Sequence, residues 1–217
     1  MEPIFTPRAN SIAVLVGLGV LSLVIGFFAG ITLLSRSSLV TGVDMVVDQP
    51  VPFSHAHHVG GLGIDCRYCH SSVETSAFAG MPSLETCMSC HRQIWTEADM
   101  LRPVREGYKN GEPVRWNRVY DLPDFVYFDH SIHVNKGISC VTCHGPVDQM
   151  PLMKKATTLQ MRWCLDCHRA PGEQVQPRDA IFAVREPSPL TEIQKQALVH
   201  DYHIETRGLT NCSICHR

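Results

Sequence analysis

The chain lacks most of what builds a large ordinary core. Aromatic residues make up only 7% of its 217 residues. Charged residues are also sparse, at 18%, so an extensive ion-pair network is not what holds it together. It has no excess of either sign, with 19 Lys and Arg against 21 Asp and Glu, which excludes the broad basic face of a nucleic-acid-binding protein. It has a single long uncharged run. What it does have is 10 cysteines and 12 histidines, and their arrangement carries the functional reading.

The uncharged run extends from Ser11 to Leu34, 24 residues. As a helix it measures about 36 Å, enough to cross a hydrocarbon layer of about 30 Å with some tilt. A cleaved signal peptide has a shorter apolar stretch followed by small residues. Here Ile31-Thr32-Leu33-Leu34 leads into Ser35-Arg36, which is a poor cleavage site, so an uncleaved anchor is expected. Arg8 and Arg36 flank the run on opposite sides and leave orientation open. Ser22, Gly26 and Gly30 place small residues at every fourth position, a stripe that permits close approach of another helix.

All ten cysteines fall in C-x-x-C-H pentads: Cys66/Cys69/His70, Cys87/Cys90/His91, Cys140/Cys143/His144, Cys164/Cys167/His168 and Cys212/Cys215/His216. Two thiols three residues apart on one helical turn can each form a thioether to a haem vinyl group, while the adjacent histidine meets the iron. Zinc ribbons use such pairs two at a time, and five is odd. Neither disulfides nor thioredoxin-like redox motifs explain a histidine after every second cysteine. The expected cofactors are therefore five haem c groups, with His70, His91, His144, His168 and His216 as proximal ligands. Haem c is attached outside the bacterial cytoplasmic membrane, so the expected domains are a cytoplasmic stretch at 1–10, the membrane helix at 11–34 and a periplasmic haem domain at 35–217. Five haems in so short a domain must supply much of its core. The expected fold is mostly irregular with short α-helices, around residues 84–101 and 190–203, and negligible sheet.

Seven histidines remain: His55, His57, His58, His130, His133, His200 and His203. They lie in three patches, each just ahead of a pentad and each containing H-x-x-H. The first two patches belong to a repeat. Phe53-x-His55-x-x-His58-Val59 leads to Gly63-Ile64-x-Cys66, and Phe128-x-His130-x-x-His133-Val134 leads to Gly137-Ile138-x-Cys140. A second pentad follows in each, at Cys87 and Cys164. This gives two di-haem units, 53–127 and 128–187, and a single-haem unit at 188–217. In the last, Ser188-Pro189 is expected to open a helix bearing His200 and His203. The arrangement resembles the small multihaem cytochromes c of class III. That resemblance implies that His55, His130 and His200 serve the haem just downstream, and that His58, His133 and His203 serve other haems. Met81, Met150, Met153 and Met161 are the candidate replacements for one of them, which would raise that haem's potential. His57 is expected not to ligate.

Arginine outnumbers lysine 14 to 5. Arg92, Arg169 and Arg217 directly follow haem histidines and are candidate partners for haem propionates. No C-x-x-C-K variant occurs, so nothing points to a lysine-ligated catalytic haem. With histidines enough to cap every iron, electron transfer is favoured over chemistry at an open site, and no catalytic residue is expected.

Further segments carry a closer likeness: Trp116-Asn117-Arg118-Val119, Leu122-Pro123-Asp124-Phe125-Val126-Tyr127-Phe128-Asp129-His130, Ala79-Gly80-Met81-Pro82 and Met161-Arg162-Trp163-Cys164. With these the chain resembles the pentahaem cytochrome c subunit of alternative complex III, a quinol:electron-acceptor oxidoreductase of respiratory or photosynthetic chains. The resemblance implies an electron-relay subunit, not itself an enzyme, in the bacterial cytoplasmic membrane. It implies iron–sulfur and multi-helix membrane subunits as partners, and a periplasmic acceptor such as a cytochrome c or blue-copper protein. Two other readings compete. One is a self-sufficient membrane-anchored multihaem quinol dehydrogenase; the other is an anchored electron store. Because the chain ends one residue after His216, the fifth haem is expected at the surface.

Overall fold

The computed structural model describes residues 6–184 and 189–216. Arg217, one of the three arginines singled out above, lies outside them, as does Ser188. Contacts divide the chain into two units, Met1–Val43 and Asp44–Arg217.

The first unit is helical. α1 (Pro7–Arg36) starts with proline at its first turn, where the missing N–H costs nothing, and is followed by the short α2 (Ser38–Thr41), which closes on Gly42 at φ 70°. The α1 window from Arg8 to Arg36 has a mean hydropathy of 2.7, and none of it is buried. Leu15, Leu23 and Leu33 are each about 70% exposed. By length and composition α1 can cross a membrane, as an anchor or as a signal sequence.

The second unit contains, in order, a π-helical turn (Ala56–Gly61), α3 (Cys66–Cys69), α4 (Leu84–His91), α5 (Arg102–Asn110), α6 (His130–Asn135), α7 (Cys140–His144), α8 (Met161–Arg169), α9 (Glu192–Asp201) and α10 (Cys212–Cys215), joined by loops and 3₁₀ turns. Among the described residues there is no strand; two isolated bridges, Val46 with Lys154 and Ile138 with Val175, stand in for sheet.

Two helix expectations are corrected. The helix expected over 84–101 stops at His91: Trp95 adopts a left-handed φ of 54°, and a new start at Asp99–Leu101 feeds α5. The C-terminal helix expected around 190–203 is present, opening at a capping box in which Thr191 and Gln194 exchange hydrogen bonds, but it ends at Asp201 and leaves His203 beyond it with φ 49°.

The core is thin, as haem-dependent packing requires. One cluster joins Val51, Met88, Leu101 and Val104 beneath α4 and α5. The other joins Val73, Val134 and Ile181, tying α6 to the loop after α3.

Candidate haem sites

Every C-x-x-C step forms a short helical turn, which turns both thiols to one side. At α3 the turn is capped by Asp65, whose carboxylate accepts from the Arg67 N–H at 2.8 Å. Gly63 and Gly137 occupy matching positions ahead of α3 and α7 with φ of 67° and 83°, a conformation that favours glycine and turns each histidine patch back toward its pentad.

The histidine patches show the same local geometry in the first two cases. Phe53 stacks on His58 with ring centres 4.4 Å apart and meets His55 edge-on at 4.9 Å. Phe128 stacks on His133 at 4.5 Å and meets His130 edge-on at 4.8 Å. One phenyl ring thus separates two imidazoles in each patch, a role that sequence reading did not give it although it stands in both copies of the motif.

The histidines then face one another across gaps. His58 and His91 have ring centres 6.2 Å apart, His130 and His144 6.3 Å, and His133 and His168 6.2 Å. An imidazole nitrogen binds a transition metal at about 2 Å, with the ring centre about 1 Å behind it, so two imidazoles on opposite sides of one iron have centres about 6 Å apart. His55 also lies in the field of His70. Residues drawn from different pentads and patches therefore fit the group that the pentads imply. Among the described residues, no such pairing brings His200 or His203 to His216. His200 and His203 lie 6.5 Å from each other beside a cavity of about 630 Å³ that Arg169 and Lys195 also line.

The outer ring nitrogens are aimed at backbone carbonyls, which fixes the tautomer and leaves Nε2 to face a metal. Nδ1 of His70 meets the Gly80 carbonyl at 2.7 Å, that of His130 meets Ala77 at 2.9 Å, and that of His133 meets Asp129 at 2.7 Å. Nδ1 of His58 meets Ser54, that of His168 meets Leu209, both at 2.9 Å, and that of His216 meets Phe125 at 3.1 Å. Nδ1 of His55 is buried without a partner.

Burial favours the neutral form, the one that can donate a lone pair, at His55, His58, His133 and His144. Loss of hydration, then the neighbouring His130, pushes His144 down to about 4. Loss of hydration, then the neighbouring His70, takes His55 to about 4. Burial likewise lowers His133 and His58. Among the thiols, burial pushes Cys143 up to about 12, while the hydrogen bond from Cys140 draws Cys66 down to about 7 and raises Cys140 itself.

The other candidates are less concerted. His57 lies flat against Trp95 at 6.1 Å and near no pentad histidine except through His58. Met150 is buried, 4% exposed, whereas Met81 and Met161 are half or more exposed and Met153 is intermediate. Arg92 donates to the Met88 carbonyl at 2.7 Å and Arg169 pairs with Asp166 at 3.1 Å, so both guanidinium groups already have protein partners. Tyr120, missed in the sequence, meets His144 at 4.5 Å, donates to the Cys143 carbonyl and accepts from the Ala156 N–H. All but Cys215 of the described fifth pentad is exposed.

Residues 132–217 match the family model described as cytochrome c3. The chain is also 39% identical over 98 residues to the menaquinone reductase, multiheme cytochrome c subunit, of Nitratidesulfovibrio vulgaris (strain Hildenborough). That match covers 45% of this chain and 46% of the relative, so the chain spans less than half the length of the curated relative it matches. The chain thus resembles multihaem c-type cytochromes, with a cytochrome c3-like region over residues 132–217 and a likeness to the multiheme subunit of a menaquinone reductase.

Proposed function

We propose that this chain is the pentahaem electron-relay subunit of a quinol-oxidising complex of the alternative complex III type. The observation that carries the proposal is the set of facing histidines. In the three measured pairs a patch histidine and a pentad histidine stand about one iron's width apart. An iron held this way has no open position for substrate, which supports relay over catalysis. Haem supplies a one-electron iron couple; the chain supplies attachment, ligand orientation and a dry surround.

In this reading Cys66, Cys69, Cys87, Cys90, Cys140, Cys143, Cys164, Cys167, Cys212 and Cys215 anchor the five groups. His55 and His130 serve the pentads just downstream, His58 the second, and His133 the fourth. The carbonyls of Gly80, Ala77, Asp129, Ser54 and Leu209 hold the rings in place. α1 anchors the chain, with 35–217 on the periplasmic side. The similarity to a menaquinone reductase subunit supports a link to the quinone pool. Iron–sulfur and multi-helix subunits are the proposed neighbours, and a periplasmic cytochrome c or blue-copper protein the acceptor.

The test is quinol-driven haem reduction, followed at the alpha band. The isolated chain in mild detergent is compared with the intact membrane preparation. Reduction only in the intact preparation is the expected result and places the quinol site in a partner. Rapid reduction of the isolated chain would instead establish a self-sufficient quinol dehydrogenase.

A further inference from the structure

We infer that the five haem-attachment segments form one unbranched file in the order 2–1–3–4–5, so that electrons enter and leave this subunit at the second and fifth pentads. The inference rests on the five-haem reading above and adds to it a path that sequence order does not supply.

The first and second segments meet directly. Tyr68, between Cys66 and Cys69, shares a hydrogen bond of 2.9 Å with Ser89, between Cys87 and Cys90. His58, from the patch ahead of the first pentad, faces His91 of the second.

The first segment also meets the third, 74 residues away (Cys66 to Cys140). The Ala56–Gly61 turn packs on the Val147–Gln149 turn just after α7, with the Ala56 N–H bonded to the Met150 carbonyl at 3.0 Å. From the other side, α6 is moored to the loop after the first pentad. The His130 N–H and Nδ1 both reach the Ala77 carbonyl, the Ser131 N–H reaches Ser76, and the Asn135 amide reaches Glu74.

The third segment meets the fourth through His133, which leaves the α6 patch to face His168. The fourth meets the fifth where His168 Nδ1 bonds the Leu209 carbonyl at 2.9 Å, three residues before Cys212. The fifth segment has a second mooring, at residues 125–127: the Tyr127 N–H donates to the Cys215 carbonyl at 2.6 Å, and His216 stacks on Phe125. That stretch carries no attachment residue, so it holds the end of the file without adding a branch.

The experiment is a cryo-EM structure of the full-length haem-loaded chain in detergent, preceded by a pyridine haemochrome count. The expected result is five haems whose nearest iron neighbours are 2 with 1, 1 with 3, 3 with 4, and 4 with 5. A potentiometric titration of the Cys87→Ala/Cys90→Ala variant provides a second readout. Loss of an end member should remove one haem and shift only the step belonging to haem 1. Five haems in another neighbour order, or a shift spread over haems 3 to 5, would overturn the file while leaving the five-haem reading intact. A count below five in the unmutated chain would overturn both.

Discussion

The rings of His130 and His144 stand 6.3 Å apart and within 9° of parallel, although one belongs to the α6 patch and the other to the third pentad. Replacing His130 by alanine should therefore convert one haem from low-spin to high-spin and leave the rest unchanged. EPR of the oxidised protein reads this directly. His130→Met should keep that haem low-spin and raise its potential, since thioether ligation favours the reduced iron. A variant that remains fully low-spin with alanine would show that another residue caps the third haem.

His58 tests whether ligands cross between sites. It lies eight residues before Cys66, yet its ring faces His91 of the second pentad at 6.2 Å. His58→Ala should generate one high-spin haem. Adding Cys87→Ala and Cys90→Ala, which remove the second haem, should abolish that signal. If the signal persists in the triple variant, His58 serves the first haem instead.

The sequence made the pentads legible because thioether attachment demands fixed spacing, and the H-x-x-H patches because they cluster ahead of them. The crossing of His58 and His133 was legible only through a likeness to class III cytochromes, since no local pattern encodes which of two diverging rings meets which iron. The break of the 84–101 helix at His91 was not legible. Gln93-Ile94-Trp95 offers no Gly or Pro there, yet Trp95 adopts a left-handed φ of 54°. Nor did the sequence show Tyr120, whose contacts with Cys143, His144 and Ala156 join distant segments.

Phe128 and Phe53 should act as wedges that hold two imidazoles apart. Truncating a buried phenylalanine costs about 3–5 kcal/mol, and these rings are only partly buried, so the loss should fall toward the lower end. The diagnostic readout is spectroscopic. Phe128→Ala should broaden the EPR signals of the third and fourth haems together, because His130 and His133 both lose the same ring. Phe128→Leu, which keeps a bulky apolar group, should restore most of the line shape.

Gly60 and Gly61 offer a matched pair for testing how the first patch meets the third segment. A Cβ at Gly60 would collide with the Asp148 carbonyl oxygen, which is backbone and cannot swing aside. A Cβ at Gly61 would lie 3.7 Å from the Ala56 carbonyl oxygen, an ordinary contact. Gly60→Ala should thus destabilise the chain by about 1–3 kcal/mol, as overpacking does, while Gly61→Ala stays close to the parent. Thermal melts followed at the Soret band distinguish the two.

Asp129 ties stability to pH at the same helix that carries His130 and His133. Its carboxylate accepts from the Ser131 hydroxyl at 2.7 Å and from the Ile132 N–H at 3.3 Å, capping α6, while its carbonyl receives His133 Nδ1. The Ser131 hydroxyl, ahead of the backbone donors, holds this carboxyl below its ordinary value. A carboxylate held down in the folded state stabilises fully above its unfolded pKa, about 4, and less as pH falls through the lower folded value. Losing such a cap costs about 1 kcal/mol. Asp129→Ala should therefore melt below the parent at pH 7, with the gap narrowing as pH falls below ~4 and closing only once the parent's own cap is protonated. Asp129→Asn keeps a neutral capping oxygen, so it should retain most of the stability at pH 7 and lose the pH dependence. A gap for the alanine variant that stays constant from pH 7 to ~3 would assign the effect to packing instead of charge.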